Sequence, residues 1–125
     1  MTKVLVVDDD VRILRALAMA LTRAGFEVTT AEDAASAIAM SESTVFDIVL
    51  ADYHMRASCG IDVVRHYKRL FGDQVFCAIL SGEDSEDTTA RCADAGADMV
   101  MCKPMSPADL REQLLAAARS LRRAS

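Results

Sequence analysis

Val4-Leu5-Val6-Val7-Asp8-Asp9-Asp10 is the stretch from which the fold can be read. Four apolar residues in a row, without polar alternation, describe a strand buried on both faces, the pattern of a parallel sheet. Ile48 to Ala51, Val75 to Leu80 and Met99 to Cys102 repeat that form, and Phe26 to Thr30 has the mixed character of an edge strand. The three aspartates that close the first run then stand at a strand's carboxyl end. That is where open α/β sheets place their ligands.

Helical patterns fill the intervals. Val11, Leu14, Ala18 and Leu21 recur at spacings of three and four, widened by Ile13, Leu17 and Ala24, and Gly25 is a natural stop. Asp33 opens an alanine-rich helix to about Glu42. A third helix runs from Gly60 to Leu70, and a fourth from about Ser85 to Ala95, ahead of Gly96. Ser106-Pro107 marks the start of the last by N-cap and first-turn proline, with Leu110, Leu114, Ala117 and Leu121 on its apolar face. Strand and helix alternate five times, which predicts an α/β fold: a doubly wound, five-stranded parallel sheet with helices on both faces.

Composition narrows the class. At 125 residues the chain is expected to be one domain, residues 1–125, with 119–125 as a frayed tail. Hydrophobic residues make up 52%, which excludes disorder, and no apolar run is long enough to span a bilayer. A net charge of −5 argues against a general nucleic-acid surface. Cys59, Cys77, Cys92 and Cys102 form no Cys-x-x-Cys pair, so reduced thiols in a cytoplasmic protein are expected, with Cys77 and Cys102 acting as small hydrophobes.

The strand ends carry the chemistry. Asp8, Asp9 and Asp10 follow the first run, Asp52 the third, Ser81 the fourth and Lys103 the fifth. Asp10 is expected to cap the first helix. The remaining carboxylates repel one another unless a cation neutralises them, and oxygen-only ligands suit Mg²⁺. Ser81 and Lys103 add a hydroxyl and an ammonium for phosphoryl oxygens. An aspartate beside Mg²⁺ is a competent nucleophile, so the set fits a phosphoaspartate site.

These residues resemble the receiver domain of bacterial two-component response regulators, from Lys3 to about Leu121, in the manner of the single-domain chemotaxis-type regulators. The motifs are Val4 to Asp10, Asp47 to Asp52, Gly60, Leu80-Ser81-Gly82 and Lys103-Pro104. The resemblance implies a flavodoxin-like strand order 2-1-3-4-5 and a cis bond before Pro104. It implies that Asp52 accepts a phosphoryl group from the phosphohistidine of a histidine kinase or phosphotransfer protein. Asp8, Asp9 and Asp52 would hold Mg²⁺ together with the backbone carbonyl of His54. Ser81 would act as the switch hydroxyl and Lys103 would pair with the phosphoryl group. Output would pass to a downstream protein through the face of helix 4, strand 5 and helix 5, with no direct nucleic-acid or membrane contact. With no effector attached, that output would have to be a contact with another protein.

Three positions depart from the pattern. Val100 stands where a switching Tyr or Phe is usual, so output is expected through loop and helix movement. Arg56 replaces a common proline, which predicts a looser Met55-to-Cys59 loop, and Met105 replaces a frequent aromatic. His54 and Glu83 flank the expected path of the attacking water, whereas His66 is expected on a solvated face. Met99, Met101 and Met105 are read as core packing, and the acidic run from Glu83 to Asp87 as charge favoured at a helix start. The chain is not expected to be an enzyme. Alternatives are a degenerate receiver acting as a binding module and, more remotely, a Mg²⁺-dependent phosphatase; a flavodoxin-like cofactor binder would need a phosphate loop where Asp8 to Asp10 stand.

Overall fold

The computed structural model describes residues 1–82 and 85–124, with side chains as far as Leu121. Five parallel strands, β1 (Lys3–Val7), β2 (Glu27–Ala31), β3 (Ile48–Asp52), β4 (Phe76–Ser81) and β5 (Met99–Cys102), form one sheet in the order β2-β1-β3-β4-β5. Between and after them come α1 (Val11–Arg23), α2 (Ala34–Ala39) with a 3₁₀ turn over Met40–Glu42, α3 (Gly60–Phe71), α4 (Glu86–Asp94) and α5 (Pro107–Ala124). The doubly wound order expected from the resemblance is therefore the one observed.

Strand alternation divides the core in two. Val4 and Val6 face α1 and α5, packing with Leu14, Leu17, Leu21, Leu110 and Leu114. Leu5 and Val7 face α2, α3 and α4, packing with Ala37, Val64, Tyr67 and Cys92. Each fully buried Leu or Val contributes roughly 1.5–3 kcal/mol, so the two layers supply most of the drive to fold. Among the described residues no helix is long and apolar enough to cross a membrane.

Several local expectations need correction. Val11 is exposed because it is the first residue of α1 and lies past the sheet edge, so the apolar face is Leu14, Leu17 and Leu21. β5 is not buried on both faces: it is the outer strand, which leaves Cys102 exposed and Met99 and Val100 half-buried. Of the three methionines, only Met101 is fully in the core. His66 is half-buried rather than solvated, with Nε2 2.8 Å from Ser41 Oγ across the α2–α3 seam. The helix α5 continues through the expected tail as far as Ala124.

Opposite the site, the amino end of the sheet is closed by Lys68. Its Nζ lies 2.6 Å from Asp98 Oδ2 and donates to the carbonyls of Val75 (2.5 Å) and Gly72 (3.3 Å). Asp98 Oδ2 also accepts the N–H of Cys77, at 2.8 Å. Gly96, at φ 101°, turns the chain into this corner; a side chain there would be strained and would crowd Lys68 Cγ.

Candidate functional site

The sheet places the site by register. Val7 pairs with Ala51, so Asp8 and Asp52 follow side by side on adjacent strands. Asp52 pairs with Leu80, and Ser81 with Cys102, which brings Ser81 and Lys103 to the same edge. The N–H of Asp8 donates to Ala31 O (3.1 Å) and that of Lys103 to Ser81 O (2.7 Å), which ties the strand ends together. Because β1 is flanked by β2 on one side and β3 on the other, this edge is the sheet's switch point.

One oxygen each from Asp8, Asp9 and Asp52 lies within 4.8 Å of the others, a group that could hold a metal ion. Asp8 is 2% exposed and Asp52 7%. Lys103 Nζ sits 2.8 Å from Asp52 Oδ1. Asp8 Oδ1 accepts the N–H of Asp10 at 2.9 Å, and Asp9 Oδ2 accepts that of Arg56 at 2.8 Å. Burial holds the Asp8 carboxyl above its ordinary pKa and repulsion from Asp52 adds to this, while the Asp10 N–H works against both. A cation would relieve that cost. The donor set, all oxygen and partly wet, fits a hard divalent ion.

Other expected residues fall into place with differing roles. Asp10 caps α1, accepting from the N–H groups of Arg12 (3.0 Å) and Ile13 (3.4 Å). Ser81 is fully buried at the end of β4. The Lys103–Pro104 bond is cis. Gly60 is required by close approach, since a Cβ there would run into Asp52 O. The His54 ring is exposed and meets Tyr53 edge-on, with centroids 4.7 Å apart. Glu83, the other residue expected beside it, lies outside the described residues, as does Asp84. The loop after β3 is not loose. Met55 and Ser58 exchange backbone hydrogen bonds (3.1 and 3.4 Å), and His54 bridges Cys59.

The contacts of two residues escaped the sequence reading. Arg56 reaches back to Asp9, with Nε 3.8 Å from Oδ2; a basic residue four positions after Asp52 in a site of three carboxylates was the available signal. Arg91 of α4 lies beside Tyr53, whose proximity holds its guanidinium above its ordinary pKa. Tyr53 is itself buried, its N–H on Leu80 O (2.9 Å) and its carbonyl accepting from Gly60 (3.1 Å). The acceptor strand is thereby joined to α4, while Val100 packs, half-buried, against the core on the same side of the sheet. Nothing in the local sequence marks that contact.

Comparison with known proteins gives a consistent result. Residues 4–115 match the model of the response regulator receiver domain. The transcriptional regulatory protein ResD of Bacillus subtilis is 36% identical over 124 residues, covering 99% of this chain and 50% of that protein. The transcriptional regulatory protein PrrA of Mycobacterium tuberculosis is 36% identical over 108 residues, covering 86% of this chain and 46% of its own length. The chain thus spans about half the length of the curated relatives it matches. Among solved structures, a CheY-like response regulator receiver domain protein from Methanospirillum hungatei superposes with a TM-score of 0.94 at 26% identity, covering 100% of this chain and 99% of that one. The chemotaxis protein CheY4 of Vibrio cholerae gives 0.88 at 29% identity, covering 94% and 98%. With its strand order, its acidic edge and these relatives in agreement, the chain belongs to the response regulator receiver domain family of two-component signalling.

Proposed function

We propose that the carboxyl edge of the sheet is a phosphoacceptor site in which Asp52 takes a phosphoryl group from the phosphohistidine of a histidine kinase or phosphotransfer protein. The observation that carries this reading is the contact of Lys103 with Asp52 inside a cluster of three carboxylates. A structural ion pair needs one carboxylate; three beside one ammonium and one exposed guanidinium keep an excess of negative charge that an arriving cation would offset.

Mg²⁺, held by Asp8, Asp9, Asp52 and the backbone carbonyl of His54, would supply that charge and admit an anionic phosphoryl group. The chain's own residues do the rest. Lys103 on Oδ1 orients the Asp52 carboxylate and stands ready to pair with a phosphoryl oxygen. A carboxylate oxygen of Asp52 forms the new P–O bond as the donor's P–N bond breaks, and the electron pair leaves on the imidazole nitrogen. Ser81, buried one strand over, supplies a hydroxyl for a second phosphoryl oxygen.

Phosphorylation adds about −1.5 to −2 charge at neutral pH. With valine at position 100, no aromatic ring is there to rotate. Tyr53 adjoins the acceptor and lies beside Arg91, so displacement of β3's end would reach α4 directly. The output surface is then the α4–β5–α5 face, offered to a protein partner.

The test is incubation of the chain with Mg²⁺ and a small phosphodonor such as phosphoramidate, followed by intact mass. One phosphoryl group should be added, and none when Mg²⁺ is chelated or in Asp52→Asn. No adduct in the native chain would favour a phosphorylation-independent binding module, the reading that Val100 supports. Steady turnover of phosphoesters would indicate a phosphatase.

A further inference from the structure

Each carboxylate of the cluster has a different partner. Asp8 accepts a backbone N–H from Asp10, and Asp52 is paired with the half-buried Lys103. Asp9 Oδ2 accepts the backbone N–H of Arg56 at 2.8 Å and lies 3.8 Å from its Nε. The Arg56 side chain is 90% exposed, so its guanidinium can leave Asp9 without breaking any packing. It stands on the wall of an open cleft of about 410 Å³, lined also by Asp9, Asp10, Val11 and Arg12. Of the three clustered carboxylates, Asp9 is the one that this cleft exposes to solvent.

A divalent ion at the cluster needs an oxygen of Asp9, and Asp9 Oδ2 already faces a guanidinium. Two cations beside one carboxylate repel each other, so occupancy by one weakens the other. From this geometry we propose that Arg56 is a built-in competitor for the divalent cation at Asp9, and that it sets the cation concentration at which the site loads. The proposal rests on the reading of Asp8, Asp9 and Asp52 as a divalent-cation site. Arg56 neutralises Asp9 while the ion is absent and is displaced into the cleft when it binds. An exposed ion pair has a modest strength and is screened by salt, so the competition is worth a few-fold in affinity and fades as ionic strength rises.

The test is calorimetric titration of Mg²⁺ alone into the metal-free chain, at low and at high monovalent salt. Arg56→Gln should bind Mg²⁺ about threefold more tightly than the native chain at low salt. Arg56→Lys, which keeps the charge, should stay near the native value, and the gap between Arg56→Gln and native should close at high salt. Arg56→Pro, which also removes the N–H on Asp9, should bind at least as tightly as Arg56→Gln. Arg12→Gln removes the same charge from the same cleft without touching Asp9 and should change the affinity less.

Equal or weaker binding by Arg56→Gln would overturn the proposal, as would an equal gain in Arg12→Gln, which would make the effect one of general charge. A different result, no Mg²⁺ uptake by the native chain or any variant, would overturn the cation site itself and this inference with it.

Discussion

At the amino end of the sheet Lys68 Nζ lies 2.6 Å from Asp98 Oδ2; at the carboxyl end Lys103 Nζ lies 2.8 Å from Asp52 Oδ1. The two pairs differ in what surrounds them. Around Lys68 every group is answered: two backbone carbonyls take its other protons, and the Asp98 oxygen also receives the N–H of Cys77. Cys77 itself is fully buried, and burial pushes its thiol up to about 12. Around Lys103 the charges do not balance, because Asp8, Asp9 and Asp52 share only its ammonium and the exposed guanidinium of Arg56 beside Asp9. One end of the molecule is a closed structural joint. The other is an open charge deficit, the condition expected of a site built to receive something.

That comparison can be broken at either end. The largest effect on folding should come from Lys68→Met, which strands the Asp98 carboxylate and the Val75 carbonyl. The side chains are 15% and 35% exposed, so the loss should be about 2 kcal/mol, less than for a fully buried pair. Urea unfolding with an unchanged slope would measure it. Mg²⁺ affinity should not change. If Lys68→Met weakened Mg²⁺ binding as much as it lowered stability, the two ends would not be separable.

A smaller effect of opposite sign belongs to Asp8. Its folded-state pKa is raised, so the carboxyl favours the fold while protonated, and that contribution is lost as pH rises through the raised value. Asp8→Asn keeps an acceptor for the Asp10 N–H and removes the charge. Without divalent cation it should be more stable than the native chain by about 1 kcal/mol at pH 7. The difference should shrink as pH falls and the native carboxyl takes up its proton. Thermal unfolding across that range decides it, and a gap that widened on acidification would refute the assignment of a charge deficit.

Much of this was legible in the residues. Unbroken apolar runs marked β1, β3 and β4 because a doubly covered strand has no polar side to alternate. The residues immediately after those runs then had to share one edge, so Asp8, Asp52, Ser81 and Lys103 could be grouped before any contact was known. What stayed hidden depends on side chains that reach across the chain. Arg56 suggested only a missing proline, yet its reach to Asp9 and the Met55–Ser58 turn make the loop well held. Cys102 looked like core because its neighbours are apolar, but β5 is the sheet's outer strand. Arg91 on Tyr53 depends on how α4 lies over the acceptor strand, and helical periodicity carries no information about that.

The claim underlying the comparison is that the carboxyl end lacks positive charge and takes it from solution. The most direct measurement is the unfolding midpoint as Mg²⁺ is added to the native chain and to Asp9→Asn. A ligand bound only by the folded state stabilises it by about 2.7 kcal/mol at about 100 times its Kd. The native midpoint should therefore climb with Mg²⁺ while that of Asp9→Asn stays nearly level. A native midpoint indifferent to Mg²⁺, or an equal climb in both proteins, would contradict the account.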